Sequence, residues 1–253
     1  MINTIKSFTD KKSKFWIILI STLCFIAAFI FAKGLIGFAR FIIIHYFGGS
    51  FHLDNFDLVC VEHANSSIWT HKSVISIYSI GLLAALFMAL VSFVFYKWTK
   101  NQKGIVNLWF LWLYVIALNQ ALGKLFVDVI LKRDFYHALN WMYIPYQFMY
   151  VIAAPSIVLL SIVISYNRKR FIRIATSQKG IKSKKFHHNK YTYISLVPAI
   201  IGTALLLMSH VTNIHRFEVF EMLIIIITLY ISFAFPLQNK NEKPNNFDAS
   251  FLN

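Results

Sequence analysis

Three polar side chains recur at helical spacing in an otherwise apolar stretch of the chain. Gln120, Lys124 and Asp128 stand at positions i, i+4 and i+8, which places them on one face of a helix. A charge at the centre of a membrane-spanning helix costs about 2.5–3.5 kcal/mol, so an ionisable residue there is a candidate for function. Lys124 and Asp128 lie one turn apart, and we predict that they form an intramembrane polar pair. A polar clamp between helices is the structural alternative, and the spacing fits both.

Histidines and carboxylates gather in the connections after the first, third and fifth apolar segments and at the adjoining ends of those segments. Seven of the nine histidines and six of the ten acidic residues fall there. The histidines are His45, His52, His63, His71, His137, His210 and His215, and the acidic residues are Asp54, Asp57, Glu62, Asp134, Glu218 and Glu221. Imidazole and carboxylate groups bind zinc and similar ions and are also the usual acid–base catalysts. These connections therefore form either a chemical site or an ordinary solvated surface.

Two overlapping groups of candidate site residues come from this set. The candidate catalytic residues are Glu62, His63 and His71. The candidate ligands of a divalent metal are His63, His71, His210, His215, Glu218 and Glu221. His63 and His71 stand eight positions apart, which is not the H-E-x-x-H spacing of zinc proteases, and no G-x-S-x-G nucleophile motif occurs. The cofactor is thus unknown, with a divalent metal as the hypothesis.

Six apolar segments can hold these residues in a membrane. They cover residues 15–32, 74–96, 105–131, 143–166, 193–208 and 219–235. About 20 apolar residues cross a hydrocarbon core roughly 30 Å thick, and backbone groups in lipid must bond within their own segment. The sequence therefore predicts an all-α, polytopic membrane helix bundle of six transmembrane helices. Residues 1–236 form one domain, and residues 237–253 form a polar cytoplasmic tail that we expect to be disordered.

The basic residues predict the orientation of this bundle. The chain carries a net charge of +15, yet it is 58% hydrophobic and only 14% charged. Eighteen Lys and Arg residues precede the first segment or follow the second, fourth and sixth, whereas four fall in the other connections; Lys33, Arg40 and Lys124 lie within or beside the segments and are not counted. This bias places both termini in the cytoplasm. It also favours anionic lipid headgroups, rather than nucleic acid, as the partner of the basic loop 167–191. The predicted location is the membrane, and the inner (cytoplasmic) membrane if the source is bacterial.

The first apolar segment continues beyond the length of one membrane crossing. A single helix over residues 15–47 would be about 50 Å long, because an α-helix rises about 1.5 Å per residue. We therefore predict a break near Lys33 and Gly34, followed by a helix on the outer surface. Lys33 and Arg40 are seven residues apart and would extend from one face of that helix toward the lipid headgroups.

These patterns favour one class of function over two others. A non-catalytic membrane component needs no motif, and it explains polar residues within the spans as clamps between helices. A membrane-embedded, metal-dependent enzyme with an outward-facing His/carboxylate site would explain where the histidines lie. A small-solute or ion transporter is the third possibility, but the chain shows no internal repeat and has only nine glycines. Protein partners are unknown.

Overall fold

The protein is helical apart from one small β-hairpin, within the residues that its computed structural model describes. Those are residues 2–54, 57–61, 66–99, 104–175, 191–209 and 216–234. The helices are α1 Ile2–Tyr46, α2 His71–Trp98, α3 Gly104–Leu118, α4 Lys124–Ile130, α5 Asp134–Trp141, α6 Tyr146–Ala175, α7 Val197–Met208 and α8 Arg216–Ala234. The hairpin pairs β1 (Phe51–Asp54) with β2 (Asp57–Cys60) in antiparallel register, with Phe51 opposite Cys60. The predicted helical class is confirmed.

Four helical stretches are long and apolar enough to cross a membrane. They are Lys14–Tyr46, His71–Trp98, Gly104–Ile130 and Tyr146–Ile174, and Thr192–Met208 is a shorter apolar helix. Large apolar side chains cover their outer faces. On α2, for example, Leu83, Phe87 and Leu90 are each more than half exposed and recur at helical spacing. A soluble monomer rarely exposes a contiguous apolar surface of this kind, so these faces are compatible with a lipid environment.

Helix α1 is continuous, and the predicted break near Lys33 and Gly34 is wrong. The helix runs from Ile2 to Tyr46 without interruption, 45 residues in all. At about 1.5 Å per residue it is roughly 68 Å long, about twice the thickness of a hydrocarbon core. Lys33 and Arg40 are both buried, so they do not extend outward to headgroups. Carboxylates on other helices hold them inside the bundle instead.

A buried tryptophan ties four helical elements together in the core. The Trp112 ring packs edge-on against Phe25 and Phe171, with ring centroids 5.0 and 4.9 Å away. Trp112 Nε1 donates to Ser21 Oγ at 2.9 Å, and that hydroxyl donates to the Ile194 carbonyl at 2.6 Å. Ser21 lies on α1, Trp112 on α3 and Ile194 in the segment before α7. Each polar group in this relay is satisfied, as a buried group requires.

Helices α3 and α4 form one membrane-length helix interrupted by a π-turn at Asn119–Gly123. The Lys124 N–H reaches back five residues to the Asn119 carbonyl instead of four. A π-turn inserts one residue into a helix and changes which side chains face inward. The single O–H of Ser156 on α6 is shared between the Ala153 carbonyl of its own helix at 2.6 Å and the Leu122 carbonyl of the turn at 2.9 Å, so a neighbouring helix contributes to a backbone group of the turn. A second π-turn, Thr192–Leu196, precedes α7.

The short connection between α4 and α6 contains a helix of its own. Helix α5 (Asp134–Trp141) packs against the beginning of α2, where a capping box holds the first turn. In that box Ser73 N donates to Thr70 Oγ1 at 3.2 Å, and Thr70 N donates to Ser73 Oγ at 2.9 Å. The position of α5 brings Asp134 to the end of the bundle where Arg40 and Lys124 lie.

Candidate functional site

Five side chains, four of them buried and one half-buried, form a chain of alternating charges through the bundle. Lys33 Nζ lies 3.1 Å from Glu221 Oε2, and Lys124 Nζ lies 3.6 Å from Glu221 Oε1. Lys124 Nζ is also 3.2 Å from Asp134 Oδ2, the oxygen to which Arg40 Nη2 donates. The order is therefore Lys33, Glu221, Lys124, Asp134, Arg40. We call these five residues the charge chain.

The charge chain joins helices that are distant in sequence. Helix α1 supplies Lys33 and Arg40, α4 supplies Lys124, α5 supplies Asp134 and α8 supplies Glu221. Apart from Asp134, these residues expose between 2% and 8% of their surface. Removing one partner from a buried ion pair is strongly destabilising, because the other charge is left without compensation. The three cations and two carboxylates leave the charge chain with one excess positive charge.

Asp128 lies beside the charge chain and can balance this excess. It is 3% exposed and accepts a hydrogen bond from the backbone N–H of Phe135 at 3.2 Å. Phe135 is in the first turn of α5, where backbone N–H groups have no partner within the helix and a carboxylate is favourable. Asp128 thus holds the beginning of α5 next to the site.

The π-turn supplies two more polar side chains to this region. Asn119 Nδ2 donates to the backbone carbonyl of Glu221 at 3.0 Å, which links the turn directly to α8. Gln120 is 3% exposed. A π-turn shifts the residues that follow it by one position relative to a regular helix. Lys124 is the first residue after the turn, so the turn affects where Lys124 points.

Two small cavities flank the charge chain, each with room for about one water molecule. The first lies between α1, α2 and α4. Its polar lining consists of Arg40, Tyr78, Gln120, Lys124 and Asp128. The second lies between α1, α7 and α8, and its polar lining consists of Lys33, Glu218 and Glu221. The remaining walls of both cavities are mainly apolar.

Known proteins offer no guide to this arrangement. No family model, no curated protein and no solved structure matches the chain. The fold alone would not define a function in any case, since one fold carries many functions.

The predicted outer site is described only in part. His71 is exposed at the start of α2, where its ring stacks on Tyr143 at 5.8 Å and approaches Trp141 at 6.5 Å. Glu62, His63, His210 and His215 lie outside the described residues. Among the described residues, no group of three or more His, Cys, Asp or Glu side chains could hold a metal ion. The catalytic and metal hypotheses stay predictions, and the metal content of the purified protein would test them.

The two predicted glutamate ligands lie on one face of α8, and both are buried. Glu221 belongs to the charge chain, where Lys33 and Lys124 contact its two carboxylate oxygens. Glu218 is 9% exposed and lines the second cavity. Glu221 is therefore already held by two cations, which would compete with a metal ion for its oxygens.

Of the charge chain and Asp128, the sequence analysis named Lys124, Asp128 and Glu221 as candidate site residues and missed the other three. Lys124 and Asp128 are both inside the bundle, with ion pairs from Lys124 to Asp134 and Glu221, and their direct pairing stays a prediction. Lys33 and Arg40 were expected to extend to the lipid headgroups. Two cations within an apolar run could instead have indicated a buried ionic site. Asp134 was grouped with the acidic residues of the outer connections, where a site and a solvated surface were both open, and no local pattern singled it out.

The opposite end of the bundle is basic and aromatic. The Arg170 guanidinium lies over the rings of Phe93, Tyr96 and Tyr166, at 4.7, 5.5 and 5.1 Å from their centroids. Lys97 Nζ also lies over the Phe93 ring, 4.7 Å from its centroid. Cation–π contacts of this kind fix the ends of α2 and α6 together. Most of the basic loop 167–191 lies outside the described residues, so its contact with anionic lipid stays a prediction.

Proposed function

We propose that the chain is a six-span integral membrane protein that serves as a non-catalytic membrane component, with both termini in the cytoplasm. The charge chain clamps its helices together near the outer end of the bundle. Anionic lipid headgroups contact the basic loop 167–191, and the inner membrane is the location if the source is bacterial.

The lengths of the last two helical stretches support six spans. Thr192–Met208 is 17 residues and Arg216–Ala234 is 19 residues long. At about 1.5 Å per residue they measure roughly 26 and 28 Å, close to the hydrocarbon thickness of about 30 Å. Together with the four longer stretches they make six, an even number, which agrees with the basic bias that puts both termini on one side.

The observation that carries the clamp is the continuity of the charge chain. Every cation in it contacts a carboxylate from a different helix, and four separate helices contribute. Helices in lipid gain little from apolar contact with one another, because lipid tails are equally apolar. Lipid tails cannot replace the polar contacts between helices, so these contacts are suited to hold the helices in register.

The thermal stability of a charge-balanced double variant tests the clamp. Lys33→Met and Glu221→Gln each leave the site with one uncompensated charge, and we expect a loss of about 3–5 kcal/mol for each. The double variant restores the balance and should lose less than either single variant. Lys72→Met, at an exposed position on α2, is the control and should change stability by less than about 0.5 kcal/mol.

Equal stability of the wild type and both single variants would refute the clamp. So would a double variant whose loss equals the sum of the two single losses, because independent sites add and coupled sites do not.

A further inference from the structure

We propose that the groove between α2 and α6 binds one anionic phospholipid, whose phosphate is held by Lys97 and Arg170 at the basic end of the bundle. The proposal rests on the proposed function, which assigns that end to the cytoplasmic side and places anionic lipid there. It deepens that contact by naming a groove and by adding Lys97, which lies outside the loop 167–191. Two matching rows of side chains, the packing around the groove and the charges at its end carry the proposal.

The two rows run along α2 and α6 toward the basic end with the same spacing. Each row begins with two aliphatic residues, continues with an aromatic ring and ends with a cation. The row on α2 is Leu86, Leu90, Phe93 and Lys97, and the row on α6 is Leu159, Val163, Tyr166 and Arg170. Positions i, i+4, i+7 and i+11 lie on one face of a helix. The leucines of both rows are between 40% and 62% exposed, so the apolar part of the rows is open to lipid.

The rows meet at the Arg170 guanidinium. Its Cζ lies 4.7 Å from the ring centroid of Phe93 on α2 and 5.1 Å from that of Tyr166 on α6. Lys97 Nζ lies 4.7 Å from the same Phe93 centroid. Within the described residues, α2 and α6 each pack closely on α3 but not on each other. The ring of Tyr114 on α3, 5.2 Å from the Phe93 ring, closes the groove from beneath.

The two cations at the end of the groove suit a phosphate. Among the described residues, neither Lys97 nor Arg170 forms an ion pair with a carboxylate, and the described acidic side chains lie in or beside the charge chain at the other end. Arg170 Nη1 donates to Asn167 Oδ1 at 2.5 Å, which orients the guanidinium. The N–H groups of Arg and Lys form strong, charge-assisted hydrogen bonds with phosphate oxygens. The Lys97 side chain is exposed and Arg170 is half-buried, so a ligand in the groove can contact both.

The length of the rows indicates that the ligand is a phospholipid rather than a free phosphate. Leu86 and Lys97 are eleven positions apart, which is about 16 Å along a helix and close to half of a hydrocarbon core of about 30 Å. An acyl chain of one leaflet therefore fits beneath a phosphate at Lys97. A zwitterionic lipid would bring its own cation toward Lys97 and Arg170, whereas an anionic lipid would not. Basic pockets between membrane helices on the cytoplasmic side bind anionic headgroups in this way.

Native mass spectrometry of the full-length protein in detergent micelles tests the groove. Titrated separately with phosphatidylglycerol and phosphatidylcholine, the wild type should bind one phosphatidylglycerol more tightly than phosphatidylcholine. Lys97→Gln and Arg170→Gln should each weaken phosphatidylglycerol binding by about fivefold, the contribution of one basic residue near an anionic headgroup. Lys14→Gln is the matched control, because Lys14 is an exposed cation over the Tyr193 ring, at the same end but outside the groove. It should leave the affinity unchanged.

Three results would overturn the proposal. They are equal wild-type affinities for the two lipids, equal affinities of the Lys97→Gln and Lys14→Gln variants, and displacement of phosphatidylglycerol by inorganic phosphate at equal concentration. If Arg170→Gln does not fold, Lys97→Gln, at an exposed position, decides the question.

Failure of the proposed function gives a different result. Lys184→Gln combined with Lys185→Gln neutralises part of the basic loop without changing the groove residues. A loop variant that binds like the wild type, beside a weakened Lys97→Gln variant, would refute the loop contact and leave the groove. Reporter fusions measure the side of the membrane separately, since lipid binding in detergent does not depend on orientation.

Discussion

Single residues in this bundle take their role from their partners rather than from their type. Lys33 and Lys124 are buried because Glu221 meets both, while Lys72 on the same molecule is exposed. A buried lysine without such partners would lose its charge or unfold the helix around it. The same holds for Asp134, which is acceptable inside because two cations converge on one of its oxygens.

At the residue scale, Gly123 should not tolerate a side chain. A Cβ at this position would lie 2.4 Å from Asn119 Oδ1 and 3.2 Å from Ile224 Cγ2. Overpacking of this kind costs about 1–3 kcal/mol, so Gly123→Ala should lower thermal stability despite the better helix propensity of alanine. Gly34→Ala is the matched control on α1, because nothing lies within 4 Å of a Cβ there. A stable Gly123→Ala variant would show that the π-turn tolerates closer packing against α8.

At the scale of elements, the π-turn depends on its neighbours. A regular helix satisfies its own backbone, whereas the turn at Asn119–Gly123 relies on α6 for one carbonyl and reaches α8 through Asn119. The turn lies at a junction between helices because its hydrogen bonds need partners on neighbouring helices. Lipid at an outer surface could not provide those partners. The polar site is thus built where the helix is least regular.

The hydroxyl of Ser156 should contribute more to thermal stability than the hydroxyl of Ser165 on the same helix. Ser156→Ala removes the donor to the Leu122 carbonyl, and we expect a loss of about 1 kcal/mol in thermal stability. Ser165→Ala is the control, because Ser165 Oγ donates only within α6, to the Ser161 carbonyl. The contact is unimportant for the turn if both variants lose equal stability.

At the scale of the whole molecule, the long helix α1 and the basic bias both bear on the topology. Helix α1 is longer than a hydrocarbon core is thick, so a crossing by α1 would leave part of the helix in water on at least one side. The eighteen basic residues assigned to the cytoplasmic side include four that precede residue 15, at the beginning of this helix. The extension on that side is therefore consistent with a cytoplasmic N-terminus.

Reporter fusions test the six-span topology. Alkaline phosphatase fused after Asn253 should be inactive, because the enzyme is active only outside the cytoplasm. A fusion within residues 48–72 should be active, since we place that connection outside. An active fusion after Asn253 would contradict a cytoplasmic C-terminus and an even number of spans.

Hydrophobicity alone determined the helical class and the positions of the apolar helices. Each backbone group in lipid must bond locally, so a long apolar run specifies a helix whatever surrounds it. The sequence also identified Lys124 and Asp128 of α4, because a charged residue within an apolar run is recognisable from the sequence alone. The wrong expectation for α1 also has a local origin, since a helix twice the thickness of the membrane is unusual by length alone.

Only the tertiary structure decided which charges meet. Lys33 and Glu221 are 188 positions apart, and Arg40 and Asp134 are 94 apart, so no local spacing relates them. Their pairing depends on how the helices pack, and packing depends on side-chain shape across the whole bundle. The π-turn is likewise invisible in the sequence, because its extra residue is stabilised by Ser156 and by contacts with α8. The sequence thus determined that buried charges exist, and the packing of the helices determined their partners.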